Sequence, residues 1–439
     1  MYPNPQDALP LPSRPNLEQY RKLAKDLVKA CTSGDATAIR TWTIRWLNAL
    51  AARQEDSDRL RSPQEIEQRA DQVEQFARKQ LSGRDGRSRC ALTEAQFVIA
   101  RAHGFASWPV FAAHLESLTE SSSAVSTFEA AVRAIINGDS QTLRRLLRDD
   151  PGLVSARSTR EHRATLLHYV SANGVEGYRQ VSPKNIAEIT QILLDAGAEV
   201  DAGAEMYGSS RCTALGLVAT SAPPDEAGVQ LGVIDVLLDH GARVDLKGGA
   251  GNSDTLIRAC LANGQPGAAA HLASRGAPLD LVGAAGLGRV DELKDLFDAQ
   301  ARSAAPSRVA EAFAMASAYG QKAAVQFLLE QGLEVDMELR GHGEGHTALH
   351  VASYHAQVDV VSLLLQHGAR VDAVDKTWKT PPLIWALTGW DRAPAPKLER
   401  YYKVVAALVR AGAHVAADLL ESDKVRADSK MFAALGGHA

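Results

Sequence analysis

The feature that most constrains this chain is a nine-residue phrase that recurs along it. It reads Leu193-Leu194-Asp195-Ala196-Gly197-Ala198-Glu199-Val200-Asp201, and it returns as Leu237 to Asp245, Leu328 to Asp336 and Leu364 to Asp372. Weaker copies surround Gly276 and Gly412. The phrase describes a helix end. The leucine pair buries one face, the glycine takes the left-handed conformation past the last turn, and the aspartate suits the turn beyond. A chain that repeats such a unit must stack it, because one copy cannot bury its own apolar face.

Upstream of each copy stands a helix start, clearest in Thr347-Ala348-Leu349-His350-Val351-Ala352. Threonine can cap the first turn there while leucine and alanine face inward. Corresponding starts follow Thr165, Thr213 and Thr255, and Pro381-Pro382 opens another, proline being well tolerated in a first turn. The unit is therefore helix, short turn, helix, extended turn, which predicts an all-α solenoid. This pattern resembles the ankyrin repeat, with threonine-proline-leucine-histidine opening the first helix and leucine-leucine…glycine-alanine-x-valine-asparagine/aspartate closing the second. Gly345 to Asp375 matches best, and the resemblance covers roughly Thr127 to Ala417. It implies about eight stacked units, some of them degenerate or carrying insertions.

The glycines at 197, 241, 276, 332, 368 and 412 lie 44, 35, 56, 36 and 44 residues apart, where plain repeats would hold one short period. The 56-residue interval accommodates a truncated unit, Gly283 to Ala299 with a helix from Asp291 to Phe297, and a regular one, Arg308 to Asp336. Phe128 to Ala156 is a degenerate first unit. The longer intervals predict insertions between the two helices of a unit at Gly174–Pro183, Thr220–Leu231 and Gly389–Leu398. All three fall in the same slot. That placement suits neutral loop lengthening, which costs little, better than a shared binding edge, which is the alternative.

Residues 1–120 lack the phrase but are helical by period. Leu17, Tyr20, Leu23, Ala24, Leu27 and Val28 form one stripe, and Ile66, Val73, Phe76 and Ala77 another. With Trp42 and Trp46 between them and the break at Gly104 to Ser107, five helices are expected. The stretches Leu11 to Tyr20 and Gly104 to Pro109 resemble a segment found ahead of ankyrin repeats in bacterial proteins of unassigned function. That likeness implies architecture and no activity. The expected division is a helical domain over 1–120, a serine-rich joint from Thr119 to Ser126, repeats over 127–417, and a capping segment or tail over 418–439. An excess of arginine over lysine and abundant alanine fit a GC-rich bacterial genome.

A net charge of -4 and a pI near 6.4 leave no positive field to attract nucleic acid or an anionic membrane surface. No apolar run is long enough to span a bilayer, and the proline-rich start, Met1 to Pro15, lacks the apolar centre of a signal peptide. A cytoplasmic protein is expected. Cys31, Cys90, Cys212 and Cys260 are far apart with no C-x-x-C pair, which predicts reduced, mostly buried thiols.

Motifs of catalysis are absent: H-E-x-x-H, G-x-S-x-G, G-x-G-x-x-G and the phosphate-binding loop do not occur. The run Gly248-Gly249-Ala250-Gly251 reads as a turn. His342, His346 and His350 have metal-ligand spacing around Glu344, but Gly341, Gly343 and Gly345 break the segment into a loop. His350, like His168, sits at the signature histidine of the repeat, whose ordinary role is to hold its own helix start; His162 falls in a turn expected to be solvated. No catalytic, cofactor-binding or metal-binding residue is predicted, and the chain is not expected to be an enzyme.

Aromatics carry the remaining signal. Trp378, Trp385 and Trp390, three of six tryptophans, cluster in one unit, with Tyr401 and Tyr402 beyond them and Tyr354 and His355 before. Trp385 sits on a first helix, the one that lines the concave groove in ankyrin arrays, where packing is as good an explanation as contact. Trp390, beside an insertion, is the better contact candidate. The resemblance implies a scaffold or adaptor that binds a protein partner through its concave face and inserted loops. The alternative is an enzyme or small-molecule-binding protein, with a pocket near the C-terminal repeats or where the N-terminal domain meets the repeats.

Overall fold

The computed structural model describes residues 4–12, 14–52, 63–82, 90–244, 255–300, 306–341 and 343–436. Asp245, the glycine run 248–251 and His342 lie outside them. The chain divides into two compact units, Met1–Ala268 and Ala269–Ala439.

The first unit opens with five helices, Leu17–Thr32, Ala38–Ala51, Pro63–Leu81, Leu92–Ala102 and Trp108–Ser117. Asn16 caps the first by accepting the Glu18 amide at 2.8 Å, and Tyr20, Ala24 and Leu27 of its apolar stripe are buried. They meet Trp42, Trp46, Phe105 and Phe111 in a common core. The Trp42 indole finds its hydrogen bond on the Leu23 carbonyl at 3.2 Å. Arg40 ties the second helix to Glu67, Asp71 and Glu74 of the third.

Two of the cysteines depart from the expectation of reduced thiols. Cys31, at the end of the first helix, is disulfide-bonded to Cys90, just ahead of the fourth, with Cα atoms 5.8 Å apart. The antiparallel return of the chain brings together residues separated by 59 positions, which spacing alone does not reveal. A disulfide belongs to oxidising surroundings, so the cysteines lend no support to a cytoplasmic location. Cys212 and Cys260 are free and buried, as expected. No helix among the described residues is long and apolar enough to cross a membrane.

Eight antiparallel helix pairs follow among the described residues. They are Ala124–Asn137 with Ser140–Asp149, Leu166–Tyr169 with Ile186–Asp195, Ala214–Ala219 with Gln230–Asp239, Leu256–Ala262 with Pro266–Ser274, Leu281–Leu287 with Val290–Gln300, Pro306–Ala318 with Lys322–Glu330, Ala348–Tyr354 with Val358–Gln366, and Pro382–Arg392 with Leu398–Arg410. The unit expected to be truncated at Gly283 is thus a complete pair. Its first helix has no polar residue to mark an outward face, so the helical stripe is hard to read, and Asp280 caps it through the Gly283 amide at 2.7 Å. All three insertions lie between the helices of a pair. Short helices from Ala417 to Ala434 close the last pair and place Val425 and Met431 in its core.

Each element of the repeated phrase has a visible cause. The six glycines have φ between 82° and 95°, and at none of them would a Cβ meet a neighbour, so conformation rather than space calls for glycine. The closing aspartate does more than favour a turn. Asp336 accepts the amide of Arg370 at 3.1 Å and its Nε at 3.0 Å, Asp201 does the same for Arg243, and Asp372 accepts the His414 amide. It joins one repeat to the next. The signature histidine does likewise: His350 Nδ1 accepts the Thr347 amide at 3.1 Å, and Nε2 lies 3.2 Å from the Thr380 carbonyl of the following repeat. His168 repeats the arrangement with Thr165 and Cys212. Burial lowers both imidazoles to about 4, so both are neutral at pH 7.

Two antiparallel hairpins interrupt the helices, Ala204–Met206 with Ser209–Cys212 and Leu339–Gly341 with Gly343–His346. The second replaces the glycine-broken loop expected there. Its outer strand is held by Lys376, whose amide donates to the Glu344 carbonyl at 2.8 Å, and by Thr377, whose hydroxyl accepts the Glu344 amide at 2.7 Å.

Candidate functional site

In the second unit, Asp375 organises the turn that enters helix Pro382–Arg392. Its buried carboxylate accepts the amides of Thr377, Trp378 and Thr380 at 2.9, 2.6 and 3.0 Å, the Thr380 hydroxyl at 2.7 Å and the Trp385 indole at 3.3 Å. Burial opposes the charge, but the Trp378 amide and the Thr380 donors outweigh it and hold the acid well below the usual carboxylate range. The turn so fixed presents Val374 and Trp378 outward, 55% and 56% exposed.

Trp378 does not stand alone. Its ring meets Trp385 edge-on at 5.4 Å, and Trp385 stacks on His346 at 5.5 Å and touches His350 at 5.3 Å and Tyr354 at 6.1 Å. His355 meets Tyr354 at 5.1 Å. Four predicted residues, Tyr354, His355, Trp378 and Trp385, thus form one ladder of rings from the exposed turn to the end of helix Ala348–Tyr354. Trp385 is its buried rung, 8% exposed with its indole N–H satisfied.

The other three predicted residues do not share that surface. Trp390, expected to be the better contact residue, is packed in the core of the unit and lies beneath Lys424, whose Nζ is 5.6 Å from the ring. Its helix runs on into the expected insertion and turns the ring toward the C-terminal helices. Tyr401 is buried and donates to the Tyr354 carbonyl at 2.8 Å, which anchors the ladder from behind. Tyr402 donates to Asp428 at 2.7 Å. Val374 and Asp375 were missed by sequence reasoning; an aspartate two and three residues ahead of Thr377 and Trp378 is the signal of a side-chain-capped turn.

A second constellation, in the first unit, also escaped sequence reasoning. Arg160, 1% exposed, contacts Glu176, donates to the His103 carbonyl at 2.7 Å and to Tyr178 at 3.2 Å, and lies over the Phe105 ring. Arg179 pairs with Glu129 and stands 3.6 Å from Glu176. Burial raises the cost of charge on Glu176, yet Arg179 and Arg160 outweigh it and hold the acid well below its ordinary range. Burial, with Arg160 nearby, lowers His103 to about 3 and His114 to about 4. His162 is buried rather than solvated: its Nδ1 accepts the Ala164 amide at 3.1 Å and its Nε2 approaches Glu176 at 3.5 Å. Glu176, Tyr178 and Arg179 all come from the insertion Gly174–Pro183. The N-terminal segment crosses here too, Leu9 bonding Ala102 and His103, and Asp7 pairing with Arg69.

Among the described residues no group of three or more His, Cys, Asp or Glu side chains is arranged to hold a metal ion. Residues 281–375 and 313–417 match the family model for ankyrin repeats in three copies. The protein contains ankyrin repeats. A solved structure of the human ASB11 ankyrin repeat domain is 19% identical, with 63% of this chain and 100% of that chain covered and a TM-score of 0.31. No curated protein matches the chain. Ankyrin repeats are generally protein–protein interaction modules, in which stacked units present an extended face to a partner. Here the histidine and aspartate contacts join one repeat to the next.

Proposed function

We propose that this protein is a non-catalytic adaptor that binds a protein partner through the ring ladder of its C-terminal repeats. One observation carries the reading: Trp378, the most exposed large apolar side chain among the described residues, is held by a fully bonded aspartate turn and backed by the buried Trp385. An exposed indole on a rigid turn forfeits little conformational freedom on contact, which is why tryptophan and tyrosine dominate binding hot spots. Val374 beside it widens the apolar patch, and His355 and Tyr354 extend it with groups that can hydrogen-bond.

The test has two stages. Affinity purification with the full chain identifies bound proteins, and the affinity of the strongest is then measured for Trp378→Ala. Truncating a hot-spot tryptophan costs about 2 kcal/mol or more, so binding should weaken by more than about tenfold. The melting temperature should hold within a few degrees, since the ring is over half exposed. A partner held equally well by Trp378→Ala would move the interface elsewhere.

A further inference from the structure

The first unit contains a cavity of about 830 Å³ that the adaptor reading leaves unused. It opens between the N-terminal segment from Pro10 to Pro15, helix Ala124–Asn137 and the insertion after Gly174. Its volume lies within the range of about 300 to 1,000 Å³ typical of small-molecule sites. Apolar wall is supplied by Leu11, Leu118 and Ile136. The polar wall includes one buried group that local packing does not exhaust. His114 is 2% exposed; its Nδ1 lies 2.8 Å from the Thr159 hydroxyl and its Nε2 meets no hydrogen-bond partner. Arg179 is 8% exposed and is committed to the protein, pairing with Glu129 through Nη2 and with Glu176 at 3.6 Å through Nη1.

The balance of charge selects the ligand. Arg160 and Arg179 are matched by Glu176 and Glu129. Arg14 and Arg133, exposed at the mouth, meet no carboxylate in any ion pair among the described residues. The lining therefore carries two guanidiniums in excess. This excess disfavours a cation, whereas an oxyanion would bring Arg133 the partner that it lacks and His114 Nε2 a hydrogen bond. Guanidinium groups bind carboxylate and phosphate with paired, charge-assisted hydrogen bonds.

We infer that this cavity is a binding site for a small organic oxyanion, its carboxylate or phosphate held by Arg133 beside His114, its apolar body against Leu118 and Ile136. The neutral His114 ring contributes a hydrogen bond without adding charge. The site is built from all three elements that meet there, so occupying it fastens the N-terminal segment to the first repeats.

Isothermal titration calorimetry of the full chain with citrate, benzoate and phenyl phosphate, at constant ionic strength set with sodium chloride, tests the inference. At least one probe should bind saturably, one per chain, and the carboxylate and phosphate arms distinguish which head group the site takes. Arg133→Glu, a change at an exposed side chain with no ion pair, should weaken that binding by tenfold or more without lowering the melting temperature. Absence of saturable binding by all three probes, or equal binding by Arg133→Glu, overturns the inference. Arg14→Ala provides the second variant: if Arg133→Glu fails to fold, a several-fold loss in Arg14→Ala upholds the site and unchanged binding overturns it.

Discussion

Replacing Glu176 with glutamine should be among the most damaging single changes in this protein. Glu176 is completely buried, in contact with Arg160, 3.6 Å from Arg179 and 3.5 Å from His162. At an effective dielectric near 20, each guanidinium at that range contributes about 4 to 5 kcal/mol of attraction, against which stands the cost of burying the ions. Glutamine keeps the shape and removes the charge, so two buried guanidiniums are left with Glu129 alone. Breaking a buried pair in this way costs about 3 to 5 kcal/mol. For a unit of this size that corresponds to a fall of roughly 6 to 20 °C in melting temperature, read by scanning calorimetry. Hydrogen exchange should rise first at Gly104 and at Ser158 to Ala164, whose amides and carbonyls lie around the pair. Glu176 also adds an acid signature. Its folded pKa lies below the ordinary 4.5, so its stabilisation is complete above that pH and fades as pH falls, a fade the glutamine variant lacks. Pairing Glu176→Leu with Arg160→Met should recover stability relative to Glu176→Leu alone, because no uncompensated charge then remains at Arg160. A loss below about 2 °C for Glu176→Gln would refute the reasoning, since it would mean that solvent reaches the pair.

Trp390→Ala should destabilise the second unit by about 3 to 5 kcal/mol, the usual cost of emptying a buried tryptophan site, and a melting temperature like that of Trp378→Ala would contradict its burial. Acidification should weaken the first unit through His103 and His114. Both titrate near 6.5 when unfolded but near 3 and 4 when folded. Their stabilisation is therefore complete above pH 6.5 and lost progressively as pH falls through the folded values, amounting to about 2 kcal/mol per imidazole by pH 5. Urea midpoints at pH 7.5 and 5.0 measure this. His103→Gln should flatten the difference, and equal midpoints in the unaltered protein would show that the imidazoles are not held neutral.

What the sequence by itself determined is whatever a few neighbouring residues decide. The leucine pair and the glycine of the repeated phrase end a helix through backbone conformation and local burial, so the solenoid, its period and the slot of its three insertions were legible. Five helices ahead of the repeats were legible for the same reason, from stripes such as Tyr20, Ala24 and Leu27. The helix Leu281–Leu287 was missed because, with no polar residue, its faces show no contrast.

What only the tertiary structure decided is which groups meet across distance. Trp385 and Trp390 lie five residues apart on one helix and both are buried, yet one backs an exposed indole and the other serves the core beneath the C-terminal helices. Sequence named both and assigned contact to Trp390, the wrong one, because each destination depends on what packs from elsewhere. Cys31 and Cys90 are likewise joined by the return of a helix and not by spacing. Glu129, Arg160, Glu176 and Arg179 belong to no motif that marks them out in the sequence. They become a buried network because an insertion, a turn and a repeat helix close over them, and ions leave water only where partners from separate segments arrive together.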